Sequence, residues 1–128
     1  MIKIIIAGSR SFNDFTFAEK QLMTYFKTHN IHRQDLEIIS GTAKGADRIG
    51  EQFAEKYGIK LTKFPADWDR YGKAAGYIRN EEMANYAKDN GILFAFWDGQ
   101  SKGTSHMIST ASKYNLTIQT ILYKGCIS

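Results

Sequence analysis

The chain has 128 residues, 43% of them hydrophobic and 23% charged. That is one domain's worth of an ordinary globular protein, and it excludes disordered, collagen-like and coiled-coil readings. Seventeen Lys and Arg against 13 Asp and Glu leave a net charge of +4 with no run of like charge, an excess that fits an anionic ligand or weak nucleic-acid contact and also occurs in proteins with neither.

The longest apolar runs, Ile4–Ala7 and Ile92–Trp97, are far shorter than the roughly 18 residues of a membrane-spanning helix. A domain of this size buries roughly two-thirds of the surface its unfolded chain exposes, so it needs no disulfide or metal staple. The single cysteine, Cys126, is in the terminal tail; no internal disulfide and no Cys-based zinc site is expected. The start, Met1-Ile2-Lys3-Ile4-Ile5-Ile6, is too short for the apolar core of a signal peptide and runs straight into the first predicted strand. A cytoplasmic location is therefore expected.

In chain order, Lys3–Ala7 is the first predicted strand. Phe15, Ala18, Leu22 and Phe26 then share one helical face, and Thr16-x-x-Glu19 offers a capping box at its start. Glu37–Ser40 is the second strand. The cleanest helical stripe follows, Ala46, Ile49, Phe53, Ala54 and Tyr57, with Gly58 placed to end it. Leu61–Phe64 is the third strand. The only proline, Pro65, opens the one long irregular stretch, Pro65–Lys73. A looser stripe, Ala75, Ile78, Met83, Tyr86 and Ala87, is expected to end at Gly91. Ile92–Phe96 is the fourth strand, Thr104, Met107, Ile108, Ala111 and Tyr114 the fourth helical face, and Thr117–Leu122 the fifth strand. Strands apolar on consecutive positions are buried on both faces. Their alternation with helices predicts one α/β domain over residues 1–128, with a mostly parallel five-stranded sheet and right-handed crossovers.

Open α/β sheets bind ligands beyond the carboxyl ends of their strands, and the unusual residues lie there. The first strand runs into Gly8-Ser9-Arg10, the second into Ser40-Gly41 and on to Gly45-Ala46-Asp47, the third towards Trp68, the fourth into Asp98 and Ser101 to Thr104. Small residues let backbone amides approach a ligand. Helices expected to begin at Gly45 and Gly103 aim free amides and partial positive charge at the same edge. Ser9, Thr42, Ser101, Thr104 and Ser105 add hydroxyls. Arg10, Lys44, Arg70, Lys73, Arg79 and Lys102 add cations, tempered by Asp47, Asp67, Asp69, Glu81, Glu82 and Asp98. The set suits a phosphate, and an acidic residue beside a phosphate loop often takes a ribose hydroxyl.

Plainer readings stand beside this one. A lone glycine after a strand is usually a turn, and neither loop is a G-x-G-x-x-G or Walker sequence. Arg79 either joins the site or forms a surface ion pair with Glu82. Trp68 either stacks on a base or caps the core. Phe15, Phe26 and Phe53 are expected in the core, and His106 is read as an ordinary helix residue. His29 and His32 have no partners at metal spacing, so no metal site is expected. No Ser-His-Asp arrangement is legible.

At these residues the chain resembles a known family. Gly8-Ser9-Arg10, Ser40-Gly41-x-Ala43-x-Gly45-Ala46-Asp47, Asp67-Trp68-x-x-Tyr71-Gly72-Lys73-x-Ala75-Gly76-x-Ile78-Arg79-Asn80-x-x-Met83 and Phe96-Trp97-Asp98-Gly99-x-Ser101-x-Gly103-Thr104 resemble the YspA/YpsA-related branch of the SLOG superfamily, found in bacteria and phages. The resemblance implies a Rossmann-like three-layer domain that binds a nucleotide or nucleotide-derived ligand as a sensor or binding module. The implied ligand-binding set is Gly8, Ser9, Arg10, Ser40, Gly41, Gly45, Ala46, Asp47, Trp68, Arg79, Asn80, Ser101, Gly103 and Thr104, with no cofactor. Two copies pairing through helices is a further implication.

Two relatives in the superfamily keep alternatives open. Lonely Guy phosphoribohydrolases carry an Arg-Lys-x-x-Met element, to which Arg79-Asn80-Glu81-Glu82-Met83 is similar. They also carry a Gly-Gly-x-Gly-Thr-x-x-Glu loop with a catalytic glutamate. Here Gly103-Thr104-Ser105-His106-Met107 takes that place, and methionine cannot move a proton. A hydrolase of N-glycosidic or phosphate bonds would need Asp47 or Asp98 instead. A DprA-like grip on single-stranded nucleic acid is the other alternative. The chain has neither a basic run nor interleaved aromatic and basic residues to support it.

Overall fold

The five apolar runs form five parallel strands in the computed structural model, which describes residues 1–123; Cys126 lies outside them. The elements are β1 (Ile2–Gly8), α1 (Phe15–Thr28), β2 (Leu36–Ser40), α2 (Ala46–Tyr57), β3 (Lys60–Lys63), α3 (Trp68–Tyr71), α4 (Ala75–Ala87), β4 (Ile92–Trp97), α5 (Lys102–Lys113) and β5 (Thr117–Leu122). The sheet order is β3-β2-β1-β4-β5, every pair parallel. Ile5 of β1 lies opposite Ile39 of β2 and Leu93 of β4.

Side chains alternate across a strand, so each central strand feeds two cores. Ile4, Ile6, Ile38, Phe94 and Phe96 pack with Leu22 and Phe26 of α1 and Ile49 and Phe53 of α2. Ile5, Ala7, Ile39, Leu93 and Ala95 pack with Met83 and Ala84 of α4 and Met107 and Ala111 of α5. This covering of both faces is why β1, β2 and β4 read as largely apolar runs; the expectation of burial on both faces is corrected for the edge strands β3 and β5, which have no fully buried residue. The result is the expected Rossmann-like, three-layer α/β architecture. Among the described residues, no helix is long and apolar enough to cross a membrane. The chain builds outward from β1 through β2 to β3, then returns past β1 to β4. The loops after β1 and β4 therefore leave in opposite directions, and a crevice opens between them at the carboxyl edge.

Several local expectations are corrected. The cap of α1 is Asp14, whose Oδ1 accepts from Phe17 N at 3.0 Å. Thr16 is already inside the helix, and Glu19 forms no capping box; it reaches α2 instead, accepting from Lys56 Nζ at 2.6 Å and from the Tyr57 hydroxyl. Gly58 ends α2 in the left-handed conformation, as expected. Gly91 does not end α4, which stops at Ala87 with Lys88 as its cap. Gly91 serves close packing there, since a Cβ would fall 2.2 Å from Ala87 O. The stretch Pro65–Lys73 is irregular only over Pro65–Asp67: Asp67 Oδ1 takes the Arg70 amide at 3.1 Å and starts α3, which a short 3-10 turn, Gly72–Ala74, joins to α4. Helix α5 starts at Lys102, capped by Ser101, so Gly103 lies in its first turn. Phe26 and Phe53 are buried, but Phe15, at the rim of α1, is only partly so.

The capping result is testable by urea unfolding. Asp14→Ala is expected to cost about 1 kcal/mol, whereas Thr16→Ala should change stability by no more than about 0.5 kcal/mol, as at an ordinary surface position. A larger loss at Thr16 would restore the capping box.

Candidate functional site

The loop after β1 ties the carboxyl edge together. Ser9 is 1% exposed. Its N–H donates to Phe96 O on β4 at 2.9 Å, and its carbonyl accepts from Phe12 N at 3.1 Å and from Ala46 N, at the start of α2, at 3.4 Å. Its Oγ accepts from Asp98 N at 3.1 Å. Such closeness requires Gly45, which has φ +82° and whose Cβ would lie 2.3 Å from Ser9 O. Ser9, Gly45 and Ala46 thus form the floor of the crevice rather than its ligand-facing surface.

The loop after β2 is braced from below. Ser40 Oγ donates to Glu51 Oε2 at 2.7 Å and accepts from Thr42 N at 3.0 Å. These bonds hold Thr42 at φ +64°, a conformation that is costly for a β-branched residue. Ala43 N donates to Asp47 Oδ2 at 3.1 Å. Asp47 is 5% exposed in the first turn of α2. Burial pushes its carboxyl up to about 6, against the lowering effect of the Ala43 amide and the Arg79 guanidinium.

Arg79 reaches this loop from α4. Its Nη1 donates to Gly41 O, and its Nε donates to Asn80 Oδ1 at 3.0 Å. A Cβ on Gly41 would lie 2.8 Å from both Arg79 Nη1 and Asp47 Oδ2, so only glycine lets the guanidinium and carboxylate approach here. Burial lowers the Arg79 pKa, Asp47 opposes that shift, and the like charge of Arg10 adds to it.

Asn80, 5% exposed, has a determined orientation. Arg79 Nε can only donate and Gly103 O can only accept, so Asn80 Oδ1 faces the first and Nδ2 the second, at 3.4 Å. Nδ2 is also 3.1 Å from His106 Nδ1, which must then be an acceptor. His106 is therefore neutral, with its proton on Nε2. Burial lowers its pKa, in agreement. The ring stacks on Tyr77 at 4.2 Å. His106 is more than an ordinary helix residue: through Asn80 it orients Arg79.

After β4, Asp98 Oδ1 accepts from Gln100 N and Ser101 N, each at 2.9 Å, and these amides hold its carboxyl below the usual range. Ser101 Oγ accepts from Thr104 N at 3.4 Å and from Thr104 Oγ1 at 3.2 Å. A Cβ on Gly103 would meet nothing within 4 Å, so the first turn of α5 is open to a ligand.

These loops enclose a cleft of about 240 Å³. Of the expected ligand set, Gly8, Arg10, Asp47, Trp68, Arg79, Asn80, Ser101, Gly103 and Thr104 line it. Gly41 lines an adjoining hollow. Ser9, Ser40 and Ala46 are buried behind the cleft, and Asp98 braces its loop rather than lining the cleft. The plainer readings of Arg79 and Trp68 are not what the structure places. Arg79 turns inward to Gly41 rather than pairing with Glu82, and Trp68, 52% exposed, stands at the mouth rather than in the core.

Sequence reasoning missed Tyr77, which lines the cleft and is 48% exposed; the signal was its place between Ala75 and Ile78, off the apolar stripe of α4. Met107, 2% exposed, also lines the cleft, so the position that the resemblance gave to a catalytic glutamate is an apolar wall here. Among the described residues, no group of three or more His, Cys, Asp or Glu is placed to hold a metal ion.

Comparison with known proteins gives the family. Residues 2–71 match the family model described as YspA, cpYpsA-related SLOG family. Over 125 residues the chain is 32% identical to the Gene 61 protein of Mycobacterium phage D29, an alignment covering 92% of this chain and 94% of that protein. No solved structure matches the chain.

Two predictions concern the buried polar groups. A carboxyl whose pKa is higher in the folded state makes stability fall as pH rises from its unfolded value to its folded one. Relative to Asp47→Asn, the natural protein should therefore lose stability between about pH 4 and pH 6, on the order of 3 kcal/mol in all. A constant difference across that range, measured by denaturant unfolding, would mean that Asp47 is not desolvated. Asn80→Ala leaves Arg79 Nε and Gly103 O without their partner and should cost on the order of 2 kcal/mol.

Proposed function

The chain belongs to the YspA, cpYpsA-related SLOG family, and from that premise we propose that the cleft between the β1 and β4 loops binds a phosphorylated nucleotide or nucleotide derivative. The observation that carries this reading is the half-buried Arg79. Asn80 and Gly41 O hold its guanidinium on the wall of a cleft that also receives the first turn of α5. A fixed guanidinium beside helix N-terminal amides is a donor set matched to phosphate oxygens. The exposed faces of Trp68 and Tyr77 at the rim offer stacking surfaces for a base. Asp47 is the acceptor for a ribose hydroxyl. On this reading the protein is a sensor or binding module for a small molecule.

A second reading has one observation in its favour. Asp47 lines the cleft with its carboxyl pushed up to about 6, near the value a general acid or base needs at neutral pH. It would then assist hydrolysis of an N-glycosidic or phosphate bond. Asp98 is poorly suited to that work because two backbone amides bond its Oδ1 and hold its carboxyl below the usual range. Incubation with nucleoside monophosphates, NAD and ADP-ribose, followed by product analysis, separates turnover from binding.

The test of the binding reading is a thermal-shift panel of AMP, ADP, ATP, GMP, cyclic nucleotides, NAD, ADP-ribose and ribose 5-phosphate. A ligand at about 100 times its Kd stabilises the fold by about 2.7 kcal/mol. Arg79→Ala should weaken a phosphorylated ligand by roughly 10- to 100-fold, the worth of a charge-assisted hydrogen bond, and leave the bare nucleoside nearly unaffected. Equal losses for both would remove Arg79 from the phosphate site.

A further inference from the structure

The cleft is small for the ligand class proposed. Its volume of about 240 Å³ falls below the range of roughly 300–1,000 Å³ typical of small-molecule sites. A second hollow, of about 440 Å³, shares Arg10, Ala43, Trp68 and Arg79 with it. With the two joined, the site falls within that range.

The charge of the second hollow differs from that of the first. Arg10, Lys44, Arg48 and Arg79 line it, and no carboxylate does, whereas Asp47 lines the first. Arg48 is partly answered by Glu51, whose Oε1 is 3.1 Å from its Nη1, and Arg79 by the neighbouring Asp47. Among the described ion pairs none involves Arg10 or Lys44. Arg10 and Arg79 line both hollows and are close enough for the charge of Arg10 to act on Arg79. Like charges gathered in one concavity repel until an anion sits between them, and a monophosphate held in the first cleft would leave Lys44 and Arg48 without one.

We propose that the ligand is a nucleotide carrying at least two phosphoryl groups: one held in the cleft by Arg79 and the first turn of α5, the other in the second hollow by Lys44 and Arg48, with Arg10 between them. This rests on the nucleotide reading above and narrows it. The two groups are either contiguous, as in a diphosphate, or on separate ribose hydroxyls, as in a bisphosphate; both present the same pair of anions to this surface.

The experiment is isothermal titration of the full chain, and of a Lys44→Ala/Arg48→Ala variant, with AMP, ADP, adenosine 3′,5′-bisphosphate and inorganic pyrophosphate. Both substituted side chains are exposed, and circular dichroism checks that the variant is folded. At least one of the two-phosphoryl nucleotides is expected to bind the natural protein tenfold or more tightly than AMP. That ratio should collapse towards one in the variant, and whether ADP or the bisphosphate shows it tells which spacing the site takes. Equal binding of AMP and both two-phosphoryl nucleotides, or a ratio unchanged in the variant, overturns the inference and leaves the nucleotide reading intact. Pyrophosphate binding that depends on Lys44 and Arg48, without binding of any adenine nucleotide, supports the second anion subsite and counts against an adenine base. No binding by any of the four probes overturns both.

Discussion

The hydrogen bonds of Ser9 are the joint on which the carboxyl edge depends. Through its N–H, carbonyl and hydroxyl the residue links β1 to β4, to the start of α2 and to the loop that opens α5. The crevice exists because the sheet order reverses between β1 and β4. Ser9 sets how far apart its two walls stand. Gly8 and Gly45 are required there for the same reason: a Cβ on Gly8 would fall 2.1 Å from Phe96 O and one on Gly45 2.3 Å from Ser9 O. These glycines let protein backbone meet protein backbone. A glycine-rich loop at a strand end is commonly taken to cradle phosphate, but in this chain much of that glycine serves the joint beneath the site.

Above the joint, the site is built from groups that hold one another. Glu51 holds Ser40, Ser40 holds the Thr42 amide, and Asp47 holds the Ala43 amide. His106 and Gly103 hold Asn80, which holds Arg79, which returns to Gly41. No described buried side-chain polar atom is left without a partner. Such a network resists reorganisation, so the Arg79 guanidinium is held in a fixed orientation at the cleft wall. Met107 lies against the cleft as an apolar wall with no proton to exchange.

Most of the fold was legible because it is governed by burial. Every predicted strand and every long predicted helix is present: the central strands, covered on both faces, are largely apolar at successive positions, and a helix covered on one face must repeat. The misreadings lie where short polar side chains compete for the same backbone amides. Asp14 takes the cap that Thr16 might have taken, and Asp67 starts a helix inside a segment whose proline and glycine read as loop. One-dimensional patterns do not rank such competitors, because the winner is decided by which side chain the chain direction brings into reach.

The site divides in the same way. Residue types at strand ends are a property of the sequence, and they determined by themselves that small residues, hydroxyls and cations gather at one edge, with Arg79 among them. Which of these face the cleft was decided only by tertiary structure. Ser9 and Ser40 carry suitable chemistry, but it is turned into the protein, and Asp98 Oδ1 is taken by the amides of its own loop. Tyr77 and His106, unremarkable in sequence, meet Asn80 and the cleft only because α4 and α5 pack side by side. The physical reason is that a polar group's role depends on whether a protein partner has already satisfied it. That partner is often distant in sequence: Gly41 and Arg79 are 38 residues apart, and Ser9 and Asp98 are 89.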